Sequence, residues 1–246
     1  MESGITNEPL RVHFSQKEIS QLLFAIFAFS IVFFLIKWRS TDFTKTTGVM
    51  YFIFVFIIVF LFMFLMVYIQ KRTGLRLGYH VEYQNSLLYL VIGVFVTFLF
   101  LGYVFILVTG EAILTMHPRL RTGQFRSHLN VRDAGFISII GALFGFGLFI
   151  VLIILYALSK DEIILEAIKI ILLISLFILV PAPKNNGLAA FRWSRIILLS
   201  CFFVLVFSFG LTFLSEPSLI LGYLAGGFLL LLIGVIEVLP RIFYGA

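Results

Sequence analysis

The sequence has few of the residues that usually carry chemistry. One cysteine, Cys201, occurs in 246 residues, so no disulfide can form within the chain. No two of the four histidines, at positions 13, 80, 117 and 128, are four residues apart, which excludes a zinc-binding pair one helical turn apart. Charged residues make up only 12% of the chain and hydrophobic residues 61%, which excludes a soluble globular domain.

What the sequence has instead is a series of long apolar runs, each near the roughly 20 residues that a helix needs to cross a bilayer. The runs are uniformly apolar and do not alternate with polar residues, so they predict helices and not barrel strands. The fold class is therefore an all-α polytopic membrane protein. The runs are Ile19–Ile36, Val49–Ile69, Leu87–Thr109, Gly135–Leu158, Ile163–Val180, Ile196–Leu214 and Leu219–Leu239.

The run Leu87–Thr109 either crosses the membrane or returns as a membrane-embedded hairpin, and the basic residues favour the hairpin. With six spans and a hairpin, 13 of the 18 lysines and arginines fall on one face, four on the other, and Lys169 within a span. A seventh span gives a weaker bias of opposite sense. By the positive-inside rule, six spans place both termini in the cytoplasm. The 13 are Arg11, Lys17, Lys71, Arg72, Arg76, Arg119, Arg121, Arg126, Arg132, Lys184, Arg192, Arg195 and Arg241.

Two features inside the predicted spans are candidates for function. Glu166 and Lys169 are three residues apart, on one helix face, and ionisable residues within a span are candidates for a functional site unless they only extend to the interface. The small-residue patterns Gly141-x-x-x-Gly145 and Gly222-x-x-x-Gly226 predict close helix packing, either within the chain or against a partner.

Three segments, in the same order and with similar spacing, resemble the site-2 protease family of intramembrane zinc metallopeptidases. The first is Gly78–Tyr83, GYHVEY, which resembles a strand that follows the family's catalytic helix. The second is Ile137–Gly145, ISIIGALFG, at the start of a core helix. The third and most specific is the block from Pro181 to Arg195, PAPKNNGLAAFRWSR. The resemblance covers residues 50 to 200 and implies a site-2-protease-like core.

The same resemblance implies that the peptidase chemistry is absent. Met66, Val67 and Gln70 stand where the family has its HExxH histidines and glutamate, Gly145 where it has a substrate-facing asparagine, and Asn186 where it has a metal-binding aspartate. A zinc peptidase needs at least three ligands and a base together. The resemblance therefore predicts neither catalysis nor a cofactor.

The functional hypothesis is a non-catalytic member of this family, a pseudoprotease that binds other transmembrane proteins as a subunit or regulator of a complex. The alternatives are a small-solute or ion transporter that uses Glu166 and Lys169, and a divergent membrane metallopeptidase. The predicted organisation is a cytoplasmic segment (residues 1–18), one membrane domain (19–239) and a tail (240–246). We expect a multi-pass protein of a prokaryotic plasma membrane that contacts lipid and membrane proteins. Nucleic acid is not an expected partner, because the basic residues are spread over several loops.

Overall fold

The computed structural model describes residues 12–38, 45–116 and 130–212. Within these residues the chain forms helices and one small sheet, in which β1 pairs with β2 in antiparallel orientation. The elements in chain order are α1 (Gln16–Trp38), α2 (Lys45–Arg76), β1 (Tyr79–Gln84), α3 (Leu87–Leu99), β2 (Glu111–Met116), α4 (Val131–Ser159), α5 (Glu162–Leu179), α6 (Asn186–Trp193) and α7 (Arg195–Leu211).

Three of the described helices are long and apolar enough to cross a membrane: Gln16–Trp38, Thr46–Arg76 and Val131–Ser159. Two shorter helices, Leu87–Leu99 and Arg195–Gly210, are also apolar. The prediction of an α-helical membrane protein is confirmed at this level, whereas the count of six spans goes beyond what helix length and composition show. The last predicted span, Leu219–Leu239, lies outside the described residues.

The short connection between α4 and α5 makes these two helices antiparallel neighbours. Lys160 ends α4 in the left-handed conformation, with φ of 54°, and the Asp161 carboxylate accepts a hydrogen bond from the Ile163 amide, 3.0 Å away, to begin α5. A connection of only two residues leaves α5 no path except back along α4. At the far end of α5 the prolines Pro181 and Pro183 follow the helix, which stops at Leu179.

Side-chain contacts define the two ends of the bundle. At the sheet end, the Tyr79 hydroxyl of β1 donates to the Asp133 carboxylate of α4 at 2.7 Å, and Lys184 pairs with Glu111 of β2 at 3.1 Å. At the opposite end, Lys37 of α1 pairs with Glu166 of α5 at 3.3 Å. The positive-inside rule assigns 13 basic residues to one face of the membrane. Those of the 13 that the structure describes lie on elements that meet at the sheet end.

The sheet decides how the third apolar run is arranged. Gln84, the last residue of β1, is the partner of Glu111, the first residue of β2. Cα atoms of paired residues in antiparallel strands are about 5 Å apart, so the segment between them leaves and returns at the same end of the bundle. It consists of α3, a turn with positive φ at Leu101 and Gly102, and a returning leg that is neither helix nor strand, residues 104–110. We call this segment the 87–110 hairpin.

The 87–110 hairpin reaches along most of α1. At its base, the Tyr83 amide donates to the Glu18 carboxylate at 2.7 Å, and at its tip a β-carbon on Gly102 would lie 2.8 Å from the Leu35 carbonyl oxygen. At ~1.5 Å per residue, the helix from Glu18 to Leu35 rises about 26 Å. This distance is close to the ~30 Å thickness of a bilayer core. Gly102 is required at the tip because its φ is +80° and the α1 backbone leaves no room for a side chain.

A buried ion pair joins the start of α1 to the end of α2. Lys71 Nζ lies 2.7 Å from Glu18 Oε2, with side chains only 4% and 3% exposed. Lys71 also donates to the His13 carbonyl at 2.6 Å and lies over the Phe14 ring, while Glu18 accepts from the β1 amide of Tyr83. Each charge thus has further polar partners, which a buried pair needs if it is not to destabilise the fold.

Lys71→Met is expected to destabilise the protein by about 3–5 kcal/mol, because it leaves the Glu18 carboxylate buried without its counter-charge. The double variant Glu18→Gln/Lys71→Met should be closer to wild type than Lys71→Met alone, since no buried charge remains. Lys184→Met, in a pair whose side chains are 47% and 28% exposed, is the control and should cost less than about 1 kcal/mol. The measurement is the free energy of unfolding in mixed micelles. If Lys71→Met and Lys184→Met lower this free energy equally, the buried pair is no more important to stability than the exposed one.

The path of the 87–110 hairpin can be tested by cysteine labelling in a Cys201→Ser background. The exposed positions Glu82 on β1 and Thr115 on β2 should react, as single cysteines, with a membrane-impermeant maleimide from the same side of the membrane. Lys160, exposed at the other end of the bundle, should react from the opposite side. Labelling of Glu82→Cys and Thr115→Cys from opposite sides would mean that the segment crosses the membrane.

Candidate functional site

The residues at the predicted histidine and glutamate positions are buried within the chain. Met66, Val67 and Gln70 of α2 are each at most 1% exposed. Met66 and Gln70, one turn apart, both face Gly141 of α4, where an added β-carbon would lie 3.0 Å from the Met66 Cγ and from the Gln70 Nε2. Gln70 Nε2 donates to the Ile137 carbonyl at 3.3 Å. The glutamine thus joins α2 to α4 through a hydrogen bond from its side chain to the α4 main chain.

Gly145 lies one turn further along the same face of α4. A β-carbon there would overlap the Ser175 hydroxyl of α5 and approach the Phe62 ring of α2 to 3.2 Å. Ser175 itself donates to the Ile171 carbonyl of its own helix at 2.7 Å. The Gly141 and Gly145 surface therefore serves the packing of α4 against α2 and α5 within the chain. The second small-residue surface, Gly222 and Gly226, lies outside the described residues.

The block after α5 is organised by two consecutive asparagines. Lys184 adopts the left-handed conformation, with φ of 61°, and turns the chain into α6. The Asn185 amide nitrogen donates to the carbonyls of Phe177 and Val180, at 2.6 and 2.9 Å, and its oxygen accepts from the Thr109 hydroxyl at 2.5 Å. Asn185 thus satisfies carbonyls left open at the end of α5 and ties them to the returning leg of the hairpin.

Asn186, the residue at the family's aspartate position, is tied to the sheet. Its Oδ1 accepts from the Ala112 amide of β2 at 2.9 Å. Its Nδ2 is buried and makes no hydrogen bond within the described chain. Gly187 follows, and a β-carbon there would collide with the Leu179 and Val180 carbonyls, so only glycine allows α6 to pack under the end of α5.

The arrangement brings some of the predicted positions together but supplies no metal ligands. Met66, Gln70 and Gly141 meet at the α2–α4 contact, Gly145 extends it to α5, and Asn186 is fixed against β2. In residues 12–38, 45–116 and 130–212, no three histidine, cysteine, aspartate or glutamate side chains are grouped so that they could hold a metal ion. Amide, thioether and aliphatic groups cannot activate water as a carboxylate or a zinc ion does.

A tyrosine at the base of the hairpin is held neutral. Burial raises the pKa of the Tyr83 phenol above its ordinary value, while a hydrogen bond from Asn85 opposes part of this shift. The neutral hydroxyl donates to the Thr109 carbonyl at 2.9 Å. Gly110 lies against the ring, with φ of +83°. Tyr83 therefore fastens the point where the returning leg enters β2, next to Asn185 and Asn186.

The predicted pair of charges within α5 is part of a cluster of three. Glu166 lies 3.6 Å from Lys169 on its own helix and 3.3 Å from Lys37 at the end of α1. Lys37 also lies 5.6 Å from the centre of the Tyr51 ring. Glu166 is thus neutralised by two lysines at the end of the bundle opposite the sheet.

Sequence reasoning missed Glu18, Lys71 and Asn185. Glu18 directly precedes the first apolar run and Lys71 closely follows the second. Since successive spans are antiparallel neighbours, two opposite charges at these places were a usable signal for a pair. Asn185 gave no such signal. The resemblance aligns the neighbouring Asn186, and not Asn185, with the family's metal-binding aspartate.

Comparison of the chain with known protein families, with curated protein sequences and with solved structures finds no match. The class that the structure itself defines is that of a mostly helical protein, with three apolar helices of membrane-spanning length among the residues described.

Gly145→Ala is expected to destabilise the protein by about 1–3 kcal/mol, because its β-carbon overlaps Ser175 and approaches Phe62. Gly147→Ala, two residues along the same helix, is the control. A β-carbon there meets nothing within 4 Å, so the higher helix propensity of alanine should leave stability unchanged or raise it by up to about 1 kcal/mol. The measurement is the free energy of unfolding of each variant. If Gly145→Ala and Gly147→Ala change it equally, the α4–α5 contact assigned to Gly145 is wrong.

Proposed function

We propose that this chain is a non-catalytic, site-2-protease-like membrane protein that binds other transmembrane proteins as a subunit or regulator. In this proposal residues 50 to 200 form the core, six helices span a prokaryotic plasma membrane, and the sheet end, including the N-terminus, faces the cytoplasm. The positive-inside rule supports this orientation, because basic residues collect at the sheet end. The strand β1 that follows α2 and the turn that precedes α6 are the elements on which the proposed core rests.

The loss of chemistry is supported by the neutral residues that occupy the site. Met66 and Gln70 are buried and packed against Gly141. The transporter alternative has less support, because Glu166 is paired with two lysines near one end of the bundle.

One observation carries the binding function: the main chain of the returning leg is not satisfied within the described chain. Residues 104–108 are neither helix nor strand, and their backbone amides and carbonyls form no hydrogen bond with any described residue. Val104 and Ile106 are 46% and 41% exposed, so part of this leg faces outward. Non-helical backbone at membrane depth persists only where protein or water covers it. A second protein beside the leg provides that cover.

Site-specific photo-cross-linking tests this proposal. A benzophenone amino acid at Ile106, on the returning leg, should cross-link a discrete set of membrane proteins in the membranes of the source organism. The same probe at Val151, which is 53% exposed on α4, is the control and should give only lipid adducts. Lipid adducts alone at both positions would contradict the binding function.

Metal analysis of the purified protein tests the loss of catalysis. We expect no stoichiometric zinc, because neutral side chains occupy the positions that correspond to the family's ligands. About one zinc per chain, together with cleavage of a cross-linked partner, would favour the divergent metallopeptidase instead.

A further inference from the structure

Charged side chains from two helices meet at the end of the bundle opposite the sheet. Lys37 of α1 and Lys169 of α5 approach the same atom, Glu166 Oε1, at 3.3 and 3.6 Å. Because they share this oxygen, the two ammonium nitrogens can be no further apart than these two distances together. The half-buried ring of Tyr51 on α2 lies beside them, with its centre 5.6 Å from the Lys37 nitrogen. We call Lys37, Glu166 and Lys169 the lysine–glutamate cluster.

The lysine–glutamate cluster is positively charged and open to its surroundings. One lysine is enough to neutralise Glu166, so the three residues together have one positive charge in excess. The side chains of Lys37 and Lys169 are 40% and 29% exposed, and that of Glu166 is 29% exposed. The pair Glu18–Lys71 at the sheet end, by contrast, matches one charge with one and is enclosed by the protein. The cluster therefore has the charge and the access that an external anion needs.

The depth of the cluster corresponds to a headgroup boundary. At ~1.5 Å per residue, α1 rises about 28 Å from Glu18 to Lys37. The apolar core of a bilayer is ~30 Å thick, so a protein with Glu18 at one boundary has Lys37 close to the other. Trp38, the last residue of α1, is 61% exposed, and tryptophan concentrates at this boundary. Lys169 lies deeper on α5 than Glu166, and its nitrogen reaches back toward the same level.

The position and the charge together indicate which anion fits. A phosphate has several oxygens, so it can accept from two neighbouring ammonium groups at once. At the headgroup boundary the phosphates are those of lipids, and only an anionic lipid brings a net negative charge with its phosphate. The other described charged residues at this end, Lys160, Asp161 and Glu162, are exposed at the connection between α4 and α5, where water and salt screen them.

We infer that the lysine–glutamate cluster binds the phosphate of an anionic phospholipid at the ends of α1 and α5. Lys37 and Lys169 each donate to a phosphate oxygen, and Glu166 holds the two ammonium groups near each other. The site contains no residue of the returning leg, so it does not depend on the proposed binding of other proteins. The bound lipid joins two helices that are distant in sequence.

Tryptophan fluorescence can test this site, because the chain has one tryptophan at each end of the bundle. Trp38 directly follows Lys37, whereas Trp193 ends α6 at the sheet end. The full-length Trp193→Phe protein is reconstituted in vesicles of phosphatidylglycerol and phosphatidylcholine, with bromine on the chains of one lipid or of the other. Quenching then shows which lipid lies beside Trp38. Phosphatidylglycerol should be favoured about fivefold, the factor that one positive charge near the surface permits.

Three substitutions in the Trp193→Phe protein separate lipid binding from helix pairing. Lys37→Gln removes the excess charge and should abolish the preference for phosphatidylglycerol. Glu166→Gln breaks the same ion pair but adds to the excess charge, so it should strengthen the preference. Lys160→Gln removes an exposed lysine at the same end of the bundle and is the control, which should keep the preference of the parent protein.

Opposite effects of Lys37→Gln and Glu166→Gln support the site, because an ion pair that only joins helices is lost in both variants. Equal quenching by the two brominated lipids in the parent protein, or a weaker preference in Glu166→Gln, overturns it. An equal loss in Lys37→Gln and Lys160→Gln also overturns it, since the preference then comes from diffuse surface charge. Because Trp193 packs against Gly135, the two variants are also compared with both tryptophans retained, where their effects should again be opposite.

A final measurement identifies the source of the phosphate. Inorganic phosphate is added to the vesicles at constant ionic strength, with chloride as the reference anion. Quenching by brominated phosphatidylglycerol should be the same in phosphate and in chloride if the ligand is a lipid. Loss of quenching in phosphate alone overturns the lipid as ligand and assigns the cluster to a soluble phosphate.

Discussion

The pairing of β1 with β2 is the constraint on which the rest of the structure depends. Because Gln84 lies opposite Glu111, a long apolar stretch that could have crossed the membrane returns to the end where it began. The return brings Thr109 and Ala112 against the turn between α5 and α6, where Asn185 and Asn186 bind them. A six-residue ladder thereby positions three buried polar residues, Thr109, Asn185 and Asn186.

Polar contacts concentrate where helices end, and apolar packing with close backbone approach fills the space between. Glu18 and Lys71 join α1, α2 and β1 at the sheet end, while Lys37 and Glu166 join α1 and α5 at the other. Between these layers the contacts of α4 depend on the absence of a side chain at Gly145. This division is expected in a bilayer, where apolar side chains gain little from leaving lipid and small residues permit association.

Hydrophobic runs predicted the helices well, because run length is set by bilayer thickness and needs no tertiary information. The hairpin was one of two open interpretations, and the distribution of basic residues favoured it. The positive-inside rule counts lysines and arginines over whole loops, so it can be applied without knowing how the side chains pack. The contacts of Asn185 could not be predicted, since they depend on where Thr109 arrives from a distant part of the chain. The direction of the Asn186 amide likewise follows from Ala112, which is 74 residues away in sequence.

In a membrane, the length of the 87–110 hairpin would have to match the thickness of the bilayer, because the hairpin runs beside α1, a helix long and apolar enough to cross it. Its base is hydrogen-bonded to Glu18 and its tip packs against the α1 backbone at Leu35, so its depth follows the rise of α1. Exposed aromatic residues near the tip, Trp38 and Tyr103, match the residues that settle at a headgroup boundary. In a thinner bilayer the tip would enter the headgroup layer, and in a thicker one lipid would have to compress around it. Hydrophobic mismatch of this kind sorts membrane proteins among bilayers of different thickness.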